Sequence, residues 1–103
     1  MPVIVVVAPD LGSAADELRA LGELAAAVAD VLQLEPDDVV ASCVHSVSGV
    51  VGRRAAPPWP LVVLHGRSRP AEQMAAAARR AREEVARAWQ RPLDEVWAEW
   101  SVS

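Results

Sequence analysis

Pro2 directly follows the initiator methionine. A small second residue normally permits removal of the methionine, which would leave the proline nitrogen as a secondary amine instead of an amide. Such an amine at the head of a buried strand loses part of its preference for the charged form, and neighbouring arginines push the same way. Each unit of pKa shift takes about 1.4 kcal/mol, so a few units need only modest desolvation and one cation. An amine that is neutral near pH 7 is a competent general base. A second cluster, His65-Gly66-Arg67-Ser68-Arg69-Pro70, stands between an apolar run and a helical stretch. Arg67 and Arg69 are shaped to grip a carboxylate bidentately, and the helix start behind them favours anions. His65 is a candidate hydrogen-bond partner for the same carboxylate. Cys43 and His45 form a third set. Two apart on one strand, they share a face about 6–7 Å apart, too far for a nucleophile and its base, and two ligands are too few for zinc.

These residues need elements to hold them, and the chain supplies them twice. With a shift of 57 positions, Val3–Val7 lies over Pro60–Leu64 and Asp37–Ala41 over Asp94–Ala98. Val3 to Ala8 is an apolar β-branched run, as expected of a strand buried on both faces. From about Ser13 to Gln33, Leu18, Leu21, Ala25, Val28 and Leu32 mark one helical stripe. Ser13 is the expected N-cap, and Glu35-Pro36-Asp37 the break. Val39 to His45 reads as a second strand.

The second half repeats the order. Leu61 to His65 is a strand, and Pro70 fits the start of a helix. Met74, Ala78, Ala81, Val85 and Ala88 form its inner stripe. Glu83 and Glu84 are expected on the outer face, paired with Arg79 and Arg80 four residues earlier. Val96 to Val102 is the last strand. Val50-Val51 is expected to make a short edge ribbon, and Ala55 to Pro60 a stiff linker. Trp59, Trp97 and Trp100 are expected in the core or a subunit interface, and Glu99 as an edge or intersubunit acid.

The expectation is an α/β (α+β) chain of two β-α-β units. Repeat 1 spans about 2–46, the linker 47–59 and repeat 2 about 60–103, within a single domain. Right-handed crossovers give a four-stranded mixed sheet with two helices on one face. The other face, left apolar, is expected to meet copies of the same chain in a homo-oligomeric ring.

Composition agrees with a globular chain. Of 103 residues, 52% are hydrophobic and 23% charged, enough to build a core. A formal charge of −4 argues against nucleic acid and anionic membranes as partners. A lone cysteine excludes an internal disulfide. No apolar run spans a bilayer, and the first residues lack the pattern of a secretory signal. The expected location is cytoplasmic.

Met1-Pro2 running into a strand, the doubled β-α-β pattern, and Gly66-Arg67-Ser68 followed by Glu72-Gln73 together resemble the tautomerase superfamily. This is the group of 4-oxalocrotonate tautomerase-like and macrophage migration inhibitory factor-like proteins. The resemblance implies that Pro2 is the catalytic amino-terminal proline and that Arg67 binds a substrate carboxylate. Arg69 resembles the second loop arginine of the decarboxylase and dehalogenase branches. It also implies a homotrimer and keto–enol isomerisation of a 2-oxo acid, with no metal and no organic cofactor. Val40, Val51 and Trp97 stand where short members carry an arginine or an aromatic, which argues against a dicarboxylate substrate. The chain stops at Ser103 without the extension of the dehalogenases, which argues against hydrolytic dehalogenation. A decarboxylase or hydratase of a small oxo acid remains open, as does a non-catalytic ferredoxin-like binding module with the same element order.

Overall fold

The computed structural model describes every residue from Met1 to Ser103. Six strands and two long helices follow one another: β1 (Val3–Ala8), α1 (Ala14–Leu32), β2 (Val40–His45), β3 (Gly49–Val51), β4 (Arg54–Ala56), β5 (Leu61–Gly66), α2 (Ala71–Ala88) and β6 (Trp97–Val102). The main sheet has the order β2-β1-β5-β6. Within each repeat the two strands are parallel, and β1 and β5 meet antiparallel at the centre. The expected mixed sheet of two β-α-β units is therefore the fold.

Each helix starts and stops for a local reason. Ser13 caps α1, its side chain accepting the Asp16 N–H. Both helices end near a glutamine in the left-handed region, Gln33 (φ 57°) and Gln90 (φ 54°). There the following N–H groups fold back to the last helical carbonyls. A short 3-10 turn then leads into the next strand, Pro36–Asp38 in the first half and Leu93–Glu95 in the second.

The structure refines the internal repeat. Val3 corresponds to Leu61, a step of 58, whereas Val40 corresponds to Trp97, a step of 57. The loop from Pro9 to Ser13 is one residue longer than the loop from Arg67 to Pro70, which absorbs the difference. Pro2 thus corresponds to Pro60. Both are buried, and both carbonyls accept from the parallel neighbour, Val40 N–H at 3.0 Å and Trp97 N–H at 3.1 Å.

The core lies between the sheet and the helices. Ile4, Val6, Ala8, Val62 and Leu64 point into it and meet Leu24, Val28, Leu32, Ala77, Ala81 and Val85. The helical stripes depart from expectation. Leu18 is 71% exposed, while Leu24, Ala27 and Ala29 are buried. The helix α1 packs on both α2 and β2, so its buried arc is wider than one stripe. In α2 the inner residues are Ala77, Ala81, Glu84, Val85 and Ala86. Glu84, expected outside, is 9% exposed. It binds Arg80 at 3.3 Å and also Arg87, the latter from its outer side. No ion pair joins Arg79 to Glu83.

The ribbon expected at Val50-Val51 is a hairpin with Arg54–Ala56 as its second strand. The expected stiff linker therefore begins only after Ala56. Gly52 (φ 62°) makes its turn.

The opposite sheet face has no helix on it. It carries Val3, Val5, Val7, Val40, Val44, Leu61, Val63 and Trp97, with only Ser42, His65, Glu99 and Ser101 as polar members. Trp97 is 64% exposed there. No helix is long and apolar enough to cross a membrane.

Candidate functional site

The antiparallel meeting of β1 and β5 decides the neighbours of the amino terminus. Val3 stands directly across from His65. The start of β1 therefore lies beside the end of β5, where Gly66 leads into Arg67, Ser68 and Arg69. Pro2 is buried, while Met1 ahead of it is 79% exposed. An exposed methionine before a proline is accessible to removal, and the proline nitrogen is an amide until that happens.

Gly66 is the hinge of this end. A Cβ on it would stand 2.6 Å from the Trp100 ring. The absence of a side chain is what lets the indole of Trp100 lie over the backbone. Beyond Gly66, Arg67 is exposed and Arg69 half-buried. The buried Nε of Arg69 has no hydrogen-bond partner, and neither has the buried Nε1 of Trp100. Arg69 lies in the loop after β5 and Trp100 on β6; Ser46 Oγ and Arg91 Nε are unpartnered in the same way elsewhere. Unmade donors of this kind cost free energy unless something fills them. An anionic oxygen is the partner the Arg69 guanidinium calls for. The first turn of α2 starts immediately after, at Ala71, and its free N–H groups favour the same charge.

Of the residues expected in the site, Pro2, Arg67 and Arg69 lie at this one end. His65, two residues before Arg67, pairs with Val3 and projects from the helix-free face of β5. Trp59 and Trp97 are not core residues. With Pro60, Arg82, Asp94, Glu95 and Val96 they line a cavity of about 570 Å³. That cavity belongs to the second repeat's proline, whose nitrogen is a chain amide and cannot act as a base. Arg82 is engaged there, its Nε donating to the carbonyls of Leu93 at 2.7 Å and Val96 at 3.0 Å. Trp89, which sequence reasoning left unassigned, ties the halves together. Its Nε1 donates to the Pro9 carbonyl at 2.7 Å.

At the other end of β2 the pair Cys43 and His45 gains a third member. Glu17, from the first turns of α1, accepts a hydrogen bond from His45 Nε2 at 2.6 Å. The ligand atoms of Glu17, Cys43 and His45 all lie within 4.8 Å of one another. The expectation of two ligands only is corrected to three. Glu17 is 28 residues away in sequence, and no spacing pattern signals it. Burial pushes the Cys43 thiol up to about 11, with the negative charge of Glu17 and Asp10 adding to the effect. The hydrogen bond to Glu17 raises the pKa of His45.

The sheet order, the two β-α-β units and the helix pair define the fold shared by the tautomerases and the macrophage migration inhibitory factors. Solved structures bear this out over nearly the whole chain. A fused 4-OT, R7, determined as an asymmetric trimer, superimposes with a TM-score of 0.88 at 16% identity, covering 98% of this chain and 85% of that one. Pt0534, inactivated by 2-oxo-3-pentynoate, superimposes with a TM-score of 0.86 at 16% identity, covering 98% and 85%. A macrophage migration inhibitory factor-like protein from Entamoeba histolytica gives 0.82 at 9% identity, covering 99% and 88%. The sequence matches no protein-family model and no curated protein.

Proposed function

We propose that this chain is a cofactor-independent tautomerase that interconverts the enol and keto forms of a small 2-oxo acid. The observation that carries the reading is the β1–β5 register, which sets a buried Pro2 beside the loop holding Arg67 and Arg69. After removal of Met1, the Pro2 nitrogen is a secondary amine with little water around it. It takes the proton from the enol oxygen, and its conjugate ammonium returns a proton to the substrate carbon. The substrate carboxylate lies on Arg69, whose buried Nε has no acceptor. Arg67 steadies the negative charge that builds on the substrate oxygen. His65 lies on the helix-free face, so its contact with substrate is proposed only for an assembly that covers that face.

The assembly is a homotrimer. Support comes from the apolar, helix-free sheet face and from the trimeric state of the R7 structure. The cytoplasm is the proposed location. A decarboxylase or hydratase acting on a related acid would use the same three residues.

Three measurements test the reading. Intact mass must show loss of Met1, and retention removes Pro2 as a base. The processed protein, incubated with 2-oxo-3-pentynoate, must gain the mass of one adduct on its amino-terminal peptide, because an alkyne conjugated to a ketone takes up a neutral amine. Enol-to-keto conversion of a simple 2-oxo acid must fall by about 10²-fold or more in the Pro2→Ala variant. Equal rates, or an adduct elsewhere only, would leave a binding module as the better description.

A further inference from the structure

We propose that Glu17, Cys43 and His45 bind a divalent metal ion of the zinc class, at the end of the sheet remote from Pro2. Val3 pairs with Val40 and Ala8 with His45. Five residues of strand at about 3.3 Å each therefore put the cluster about 16 Å from the proline end. It is independent of the proposed tautomerase site.

The geometry is that of a ligand set. Cys43 and His45 alternate on the helix-facing side of β2, and Glu17 descends onto them from α1. A tetrahedral ion with bonds of about 2.0–2.3 Å holds its ligand atoms about 3.3–3.8 Å apart. The three atoms here lie within 4.8 Å of one another, so small rotamer adjustments close the set. Two of the three sit on a strand and the third on a helix, elements rigid enough to fix a site. The Glu17 side chain is largely covered and that of His45 is more open, which leaves a fourth position facing water.

The chemistry selects the ion. A thiolate, an imidazole and a carboxylate suit zinc or cobalt and do not suit magnesium or calcium, which prefer all-oxygen shells. The thiolate and the carboxylate together balance a charge of two, with the imidazole neutral. Binding displaces the thiol proton, while neutral His45 offers Nε2 as a lone pair and carries its proton on Nδ1. Glu17 and Asp10 place negative charge beside Cys43, which attracts a cation.

The second repeat supplies an internal control. Its equivalents of Glu17, Cys43 and His45 are Met74, Trp100 and Val102. All three are apolar. The fold therefore has no need of polar groups at these positions, and the first repeat's Cys, His and Glu require another explanation.

The full-length protein, stripped of metal, is titrated with cobalt(II). The expected result is one ion per chain, a thiolate-to-cobalt charge-transfer absorption, and displacement by zinc but not by magnesium. Cys43→Ser must abolish that absorption, and His45→Gln and Glu17→Gln must each weaken binding about 10-fold or more. Glu17 and His45 lie outside the hydrophobic core, so these two variants test the site with the fold retained, as unchanged far-ultraviolet circular dichroism would verify. Pro2→Ala must bind cobalt as the parent does. Absence of the absorption in the parent, or equal cobalt affinity in Glu17→Gln, His45→Gln and parent, overturns the proposal.

Discussion

The two halves of the chain have one backbone plan and two chemistries. Pro2 and Pro60 occupy equivalent, buried places, and Met1 ahead of Pro2 is exposed. The loop after β5 offers Arg67 and Arg69. The loop after β1, in the equivalent position beside Pro60, offers Asp10, whose carboxylate is turned inward to accept the Gly12 N–H at 2.7 Å. Around Pro60 the cavity carries Asp94 and Glu95. The equivalent loops thus carry opposite charge, Arg67 and Arg69 after β5 and Asp10 after β1. Charge at the two ends, not the fold, separates the candidate site from its structural twin.

The sharpest way to break that comparison is to alter the prolines in parallel. Pro2→Ala is expected to lower turnover by about 10²-fold or more. Pro60→Ala, at a buried chain amide, is expected to leave turnover within about 2-fold and act on stability alone, since only the proline ring is lost. Comparable losses of turnover in both would mean that burial of the ring matters and the terminal amine does not.

Next in size are the loops. Arg69→Ala removes a half-buried guanidinium, and a charge-assisted hydrogen bond contributes about 1.5–3 kcal/mol. A loss of about 10–100-fold in kcat/KM is therefore expected for a carboxylate substrate. Arg67→Ala, at an exposed position, is expected to cost less, and Asp10→Ala nothing measurable. Steady-state kinetics on all three would rank the ends. Equal effects of Arg69→Ala and Asp10→Ala would place the substrate elsewhere.

The third contrast concerns packing. Where the first half has Ala8 on one strand and the half-buried Cys43 on the next, both on the helix side, the second half has Gly66 and Trp100. Volume moves from one strand to the other, and the glycine is the price of the indole. Gly66→Ala drives a methyl to 2.6 Å from the ring and is expected to destabilise the chain by about 1–3 kcal/mol. In a Trp100→Leu background the same change is expected to cost markedly less, a coupling read by a denaturation cycle. Additive effects would mean that Gly66 is required for its backbone and not for the ring.

Much of this was legible in the residues, and the limits are physical. The strands β1 and β2 and the span of α1 follow from β-branched runs, a capping serine and a proline break, all local signals. The doubling showed which strands correspond, and so that Pro2 and the arginine loop belong to one fold. Three things were not legible. A helical stripe reports a face but not how far it is covered, so Leu18 was expected inside and Leu24 and Ala27 were passed over. A one-residue difference between the two loops shifts the strand correspondence by one, which hid the pairing of Pro2 with Pro60. Glu17 meets His45 only through tertiary packing of α1 on β2.

The smallest contrast lies between the helices. Ala27 in α1 and Glu84 in α2 are equivalent, both buried, and both line the groove between the helices with Glu23, Asp30, Arg80 and Arg87. The first half fills the place with a methyl, the second with a carboxylate held by two arginines. Those arginines are exposed enough to rehydrate when the carboxylate is removed, so the large penalty of a stranded buried charge does not arise. Glu84→Ala then makes the second half resemble the first, with a cost of about 1 kcal/mol from lost hydrogen bonds. Glu83→Ala, an exposed neighbour without an ion pair, is expected to change stability by less than about 0.5 kcal/mol. Urea midpoints for the two variants decide the matter. A loss well above 2 kcal/mol for Glu84→Ala would mean that the carboxylate organises the helix pair, and that the halves differ in how they are held together as well as in what they bind.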